Sequence, residues 1–182
     1  MSLPSTVRLV MPQDARWRVV GTGVRFGLKG SGAPGWLRGN GIAMPAQPNS
    51  VQRWPDGRCL RLGHGEFLVE LDAATTLPSP PAADGGSDTW LLLRSDHCVL
   101  LEGDGWLRRL PLACSIDLQQ LRDSPDLVVM TLFAGIGVTL IAEPATSTGG
   151  DGFALRLWCD ASHATHLDHC LQQLASPLGD AS

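Results

Sequence analysis

Two separated stretches of this chain pass through the same succession of residue types. RFGLKGSGAPGWLRGNGIAMP, from Arg25 to Pro45, and CVLLEGDGWLRRLPLACSIDL, from Cys98 to Leu118, each run from a strand-like apolar segment through a glycine into a Trp-Leu helix and on to small residues. The likeness is one of pattern more than identity. It reads as a duplicated β-α-β module. An α+β fold follows, of two similar half-modules with mainly antiparallel sheets in a single domain spanning residues 1–182, a length suited to one core. Between the halves, TTLPSPPAADGGSD (75–88) has the composition of a linker, which sets the half-modules at about 17–74 and 89–176.

Local patterns fill in the frame. Val24, Phe26 and Leu28 alternate like a strand, and Trp36-Leu37 sits in a short helix closed by Gly39 and Gly41. MPAQPNSVQRWPDG reads as loop, because Pro45, Pro48 and Pro55 each lack a ladder donor. CLRLGHGEFLVEL reads as two strands around a tight turn at Gly63–Gly65. In the second half, strands at 89–93 and 97–101 precede the WLRRLPL helix, and a loop runs from Ser115 through Pro125. The apolar run 127–142 is too short for a membrane helix and is broken by Gly135 and Gly137. It predicts a hairpin turning at 134–137 or one bulged strand. STGGDG is a polar turn, FALRLW a strand, and 160–175 a helix capped by Asp160 or Ser162.

Composition narrows the function classes. The 14 basic residues include one lysine, Lys29, in an alternating apolar context, so Schiff-base chemistry or a lysine phosphate cradle has a single, ill-placed candidate. The balance is mildly acidic and no basic cluster exceeds Arg108-Arg109, which argues against nucleic acid. The start of the chain lacks the charged and apolar regions of a signal peptide, and five cysteines form no CxxC pair. A reducing, cytoplasmic setting is expected, with no membrane partner.

Site motifs are sparse. GTGVRFG (21–27) has GxGxxxG spacing with a strand-like pattern after it, where a dinucleotide loop needs a helix. His163, His166, His169, Cys159 and Cys170 are the densest group of ligand types. About 100° per residue spreads the three histidines around the helix, so a solvated face is expected and no metal site. His97 and Cys98 are adjacent on a strand and face opposite sides, there is no GxSxG elbow, and no catalytic or cofactor-binding residue is assigned.

The order of the segments resembles the gamma subunit family of heterotetrameric sarcosine oxidase, over roughly residues 24–175. The family's LGPDE(F/W)LL turn corresponds to Leu62-Gly63-His64-Gly65-Glu66-Phe67-Leu68, with His64-Gly65 in place of Pro-Asp. Its L-x-G corresponds to Leu101-Glu102-Gly103, its CxxDL corner to Cys114-Ser115-Ile116-Asp117-Leu118, and its last strand motif to Thr131 through Val138 and Leu140; LLLRSD replaces the usual DLS. The resemblance implies a fold like that of folate-binding aminomethyltransferase domains and a noncatalytic subunit that braces large flavoprotein subunits. Such complexes demethylate sarcosine oxidatively to glycine. FAD, FMN, NAD, tetrahydrofolate and zinc are then expected in the partner subunits and not in this chain. A free-standing folate-dependent aminomethyltransferase-like protein is the alternative, for which Asp117 and Arg108 or Arg109 are the available charged groups. An adaptor or chaperone for secreted proteins is a third class, suggested by size and acidity alone.

Six tryptophans and no tyrosine complete the picture. Trp36 and Trp106 occupy equivalent places in the half-repeats, beside Arg38 in one and Arg108 and Arg109 in the other. Tryptophan and arginine anchor protein interfaces, so these five residues are the partner-contact candidates; the two tryptophans closing the cores of their own halves is the competing reading.

Overall fold

The computed structural model describes residues 14–21, 23–72, 76–81, 88–143 and 152–176. Residues 75 and 82–87 of the linker, and all of the STGGDG turn but its last glycine, lie outside that set.

Among the described residues, ten strands form two antiparallel five-stranded sheets. One contains β2 (Arg25–Lys29), β3 (Ser50–Trp54), β4 (Gly57–Arg61), β5 (Glu66–Leu71) and β6 (Trp90–Leu93), in the order β3-β4-β5-β2-β6. The other contains β1 (Arg16–Val19), β7 (His97–Glu102), β8 (Val128–Phe133), β9 (Ile136–Glu143) and β10 (Ala154–Cys159), in the order β1-β7-β10-β9-β8. Accompanying them among the described residues are the α-helices α1 (Ala33–Gly39), α2 (Gly105–Arg109), α3 (Leu118–Asp123) and α4 (Ala164–Ala175). The apolar run is a hairpin, as one of its two readings required, with Ala134 and Gly135 at the turn, both at positive φ.

Strand periodicity sorts the side chains into layers. Phe26, Leu28, Phe67 and Val69 face α1 and pack with Ala33 and Leu37. Val99, Leu101, Leu140, Leu155 and Leu157 face the other helices and pack with Trp106, Leu121 and Leu167. The opposite faces meet each other through Val51, Leu60, Leu68, Val128, Ile141 and Trp158. Helices thus lie outside two facing sheets.

The halves are related, and they exchange an edge strand. β1 precedes β2 in sequence yet pairs with β7; β6 precedes β7 yet pairs with β2. Each crossing brings an aspartate carbonyl against a glycine. A Cβ on Gly103 would lie 2.4 Å from the Asp14 carbonyl oxygen, and one on Gly30 would lie 1.9 Å from that of Asp88. Both glycines have positive φ, 110° and 126°, so side chain and backbone alike demand glycine there.

Two local expectations are corrected. Residues 50–54 form β3 and not loop, because Pro48 precedes the strand and Pro55 sits in the turn between the paired Trp54 and Gly57, where no ladder donor is needed. Residues 118–123 form α3 within the expected loop, started by Asp117, whose carboxylate accepts from the Gln120 amide at 3.0 Å.

Candidate functional site

The sheets part along one side of the molecule, leaving a cleft. Small residues on facing strands create it: Gly27 on β2 and Gly137 on β9 leave space where other strand positions carry side chains. One lobe, about 380 Å³, reaches Lys29, Glu66 and Leu92; the other, about 260 Å³, reaches Met130, Thr139 and Trp158. The lobes share Leu62, Arg94, Asp96 and Asp160. Arg94 forks onto the Asp96 carboxylate, Nε to Oδ2 at 2.8 Å and Nη2 to Oδ1 at 2.6 Å, and this bond raises the guanidinium pKa above its ordinary value. Asp160 spends its carboxylate on the Ser162 amide and hydroxyl, which lowers its pKa.

Chemically the cleft is quiet. Its one described cysteine, Cys159, has a thiol pushed up to about 11 by burial, with Asp160, Asp168 and Asp96 adding to the shift. It stays protonated and weakly nucleophilic at neutral pH. His97 lies at the start of β7 with Nε2 2.8 Å from Asp168 Oδ1 on α4, an interaction that ties strand to helix.

Next to the cleft, between the sheets, lies a charge cluster that the sequence reading did not single out. Glu70 accepts hydrogen bonds from Arg156 Nη1 and the Trp158 indole, both at 3.0 Å, and forms ion pairs with Arg25, Nε at 2.9 Å, and Arg58, Nε at 3.2 Å. Glu143 pairs with Arg58, with Arg156 Nε at 2.8 Å and with Arg53 Nε at 3.6 Å. Four guanidiniums therefore share two carboxylates in a largely buried layer. Burial and the neighbouring Arg156 lower the Arg58 pKa to about 10, which still leaves it charged at neutral pH. Each member lies on the inward face of its strand, and in FLVEL, LIAE and ALRLW it is the one charge in an otherwise apolar run. That interruption was the available signal. Because the arginines of β3 and β4 meet the glutamate of β9, and that of β10 meets the glutamate of β5, the cluster locks one sheet onto the other.

The five partner-contact candidates separate. Trp106 is wholly buried, its indole donating to the Arg16 carbonyl at 2.8 Å, so it presents no area to another chain. Arg109 is also buried, and both it and the exposed Arg108 reach the Asp14 carboxylate, at 3.2 and 2.7 Å. Trp36 is half-buried, edge-on to Phe26 with centroids 6.0 Å apart, and Arg38 is exposed. The two tryptophans are also not equivalent. Aligned on Gly30 and Gly103, the fully buried pair Ala33 and Leu37 matches Trp106 and Leu110, and Trp36 falls opposite Arg109.

Other motifs are placed as follows. GTGVRFG runs into β2, so no helix N-terminus is present to receive a pyrophosphate. On α4, His166 Nε2 lies 3.7 Å from Cys170 Sγ, whereas His169 bonds Gln173; among the described residues no three ligand types converge.

No family model matches the chain, and no curated protein matches it in sequence. Solved structures do match it. A chain of the heterotetrameric sarcosine oxidase from Corynebacterium sp. U-96, in complex with pyrrole 2-carboxylate, superposes with a TM-score of 0.70 at 22% identity, covering 92% of this chain and 87% of that one. Aminomethyltransferase T of the glycine cleavage system from Bartonella henselae superposes with a TM-score of 0.58 at 13% identity, over 92% of this chain but 46% of that one. This chain thus has the α+β fold found in a sarcosine oxidase chain and in less than half the length of an aminomethyltransferase.

Proposed function

We propose that this chain is a noncatalytic subunit, gamma-like, of a multisubunit oxidase acting on sarcosine or a related secondary amine. The observation that carries the reading is the match to a chain of heterotetrameric sarcosine oxidase over nearly the full length of both, which makes the two chains similar in size as well as fold. The cleft chemistry among the described residues is compatible with it, since Cys159 is held protonated and Arg94 and Asp96 neutralise one another. The flavins, nicotinamide nucleotide, folate and zinc of such a complex then belong to its other chains.

The aminomethyltransferase reading needs a free carboxylate facing a pterin and a free cation for an acidic tail. Asp117 caps α3, and Arg108 and Arg109 are both held by Asp14, so each of these three candidates already has a partner within the chain. Reconstitution tests the choice. Large flavoprotein subunits of such an oxidase, co-expressed with and without this chain, should give a complex whose sarcosine-dependent peroxide production survives heating better when this chain is present. Failure to co-purify, together with tetrahydrofolate binding by the isolated chain, would overturn the proposal.

A further inference from the structure

The spread of the histidines around α4 keeps three of them from one ion, but a pair of ligands needs less. His166 and Cys170 stand one turn apart on the same face, with His166 Nε2 3.7 Å from Cys170 Sγ. A tetrahedral zinc ion bonds an imidazole nitrogen at about 2.0 Å and a thiolate sulfur at about 2.3 Å, which sets two such ligands about 3.5 Å apart. The pair thus already stands near the spacing of two zinc ligands. We propose that His166 and Cys170 form a two-ligand site for a thiophilic divalent cation, zinc above all, on the solvent side of α4.

Packing holds the pair in place. Leu167, Leu171 and Ala175 are fully buried in the core beneath α4, and Asp168 Oδ1 lies 2.8 Å from His97 Nε2 on β7, so the face that carries the pair is fixed. His166 is exposed and Cys170 is partly exposed at the margin of that core, so an ion reaches both donors from solvent. Neighbouring groups are engaged elsewhere: His169 Nε2 lies 2.9 Å from Gln173 Nε2, and Asp168 is held by His97. Among the described residues no third ligand joins the pair, which leaves two of the four tetrahedral positions to water. The donor set selects the cation, because zinc takes nitrogen and sulfur, whereas magnesium and calcium require oxygen. On binding, a sulfur–zinc bond replaces the S–H bond and the proton passes to solvent, while the neutral imidazole gives its Nε2 lone pair. Half a ligand set binds more weakly than a closed site, with a dissociation constant on the order of ten micromolar. Cys170 is the one cysteine that is not buried, so the bound cation shields the chain's accessible thiol from oxidation.

Calorimetric titration of zinc chloride into the reduced, metal-free full chain tests this. The expected result is about one zinc per chain, with affinity lowered at least tenfold by His166→Ala and by Cys170→Ser and unchanged by His169→Ala, while magnesium chloride gives no binding. Melting temperatures of the metal-free variants should match that of the wild type; should His166→Ala fail to fold, His166→Gln provides the same test. Cobalt adds an independent readout, since its complex should show a thiolate-to-cobalt charge-transfer band in the near ultraviolet that Cys170→Ser abolishes. Zinc should also slow modification of Cys170 by a thiol reagent in the wild type and not in His166→Ala. No saturable binding at zinc concentrations tenfold above the expected constant, full affinity in either folded ligand variant, or a cobalt complex without the sulfur band would each overturn the proposal.

Discussion

Burial sets the chemistry of the thiols. All five cysteines are free; Cys59, Cys98, Cys114 and Cys159 are buried, and Cys170 is partly exposed. Desolvation raises the pKa of each buried thiol, Cys59 to about 12 and Cys159 to about 11. A thiol-specific reagent at pH 8 should therefore modify about one group per chain in the native state, lost on Cys170→Ser, and the rest only in denaturant; two or more fast-reacting thiols in the native chain would contradict this burial. Linkage gives the sign at higher pH. A folded-state pKa above the unfolded value means stability is complete below pH 9 and declines as pH rises toward 11, because the unfolded chain releases protons that the native chain retains. The loss is about 1.4 kcal/mol per suppressed thiol per pH unit in that window, and Arg58, lowered to about 10, titrates there with the opposite sign and offsets part of it. At this same scale lies the reason Trp36 and Trp106 looked equivalent. Both precede Leu-Arg, but Ala33-Pro34-Gly35 adds a turn before Trp36, and distance from the positive-φ glycine decides which side chain enters the core.

Short elements read least clearly, for a physical reason. The hairpin in 127–142 and the strands around Gly63–Gly65 declared themselves because their apolar residues recur often enough to define a face. α3 has six residues, with only Leu118 and Leu121 buried, too few to show a helical period. β3 lay between prolines that break a ladder only if they stand within it. A helix so short depends on its cap and on packing against β9 and β8. Asp117→Ala, which strands the Gln120 amide, should lower stability by about 1 kcal/mol, and Asp117→Asn should recover most of that loss. Urea denaturation of the three proteins measures it. A null effect would mean α3 is held by Leu118 and Leu121 alone.

The pairing of β1 and β6 across the halves was not legible in sequence, because strand patterns give a face but not a partner. Nor was the charge cluster, whose members come from six strands and acquire meaning only when two sheets face each other. Together they determine how the molecule holds. Removing one half of the chain would leave Arg25 and Arg58 with Glu70 alone, or Arg156 with Glu143 alone, in exposed positions and without an edge strand on the sheet that remains. Burying such ions is costly unless each keeps its partners, so the cluster specifies the mating of the sheets more than it adds stability. The halves should therefore not fold alone. A chain ending at residue 82 lacks β6, and one beginning at residue 83 lacks β1 along with the Asp14 carbonyl that Gly103 and Gly105 were built to meet. Expressed separately, each should show weak near-UV tryptophan dichroism and no cooperative melt; mixed after co-refolding, they should form a 1:1 complex with a cooperative transition, because every ladder is restored. Cooperative melting of either fragment by itself would show that the exchange of edge strands is dispensable, and that the repeat folds as two independent units.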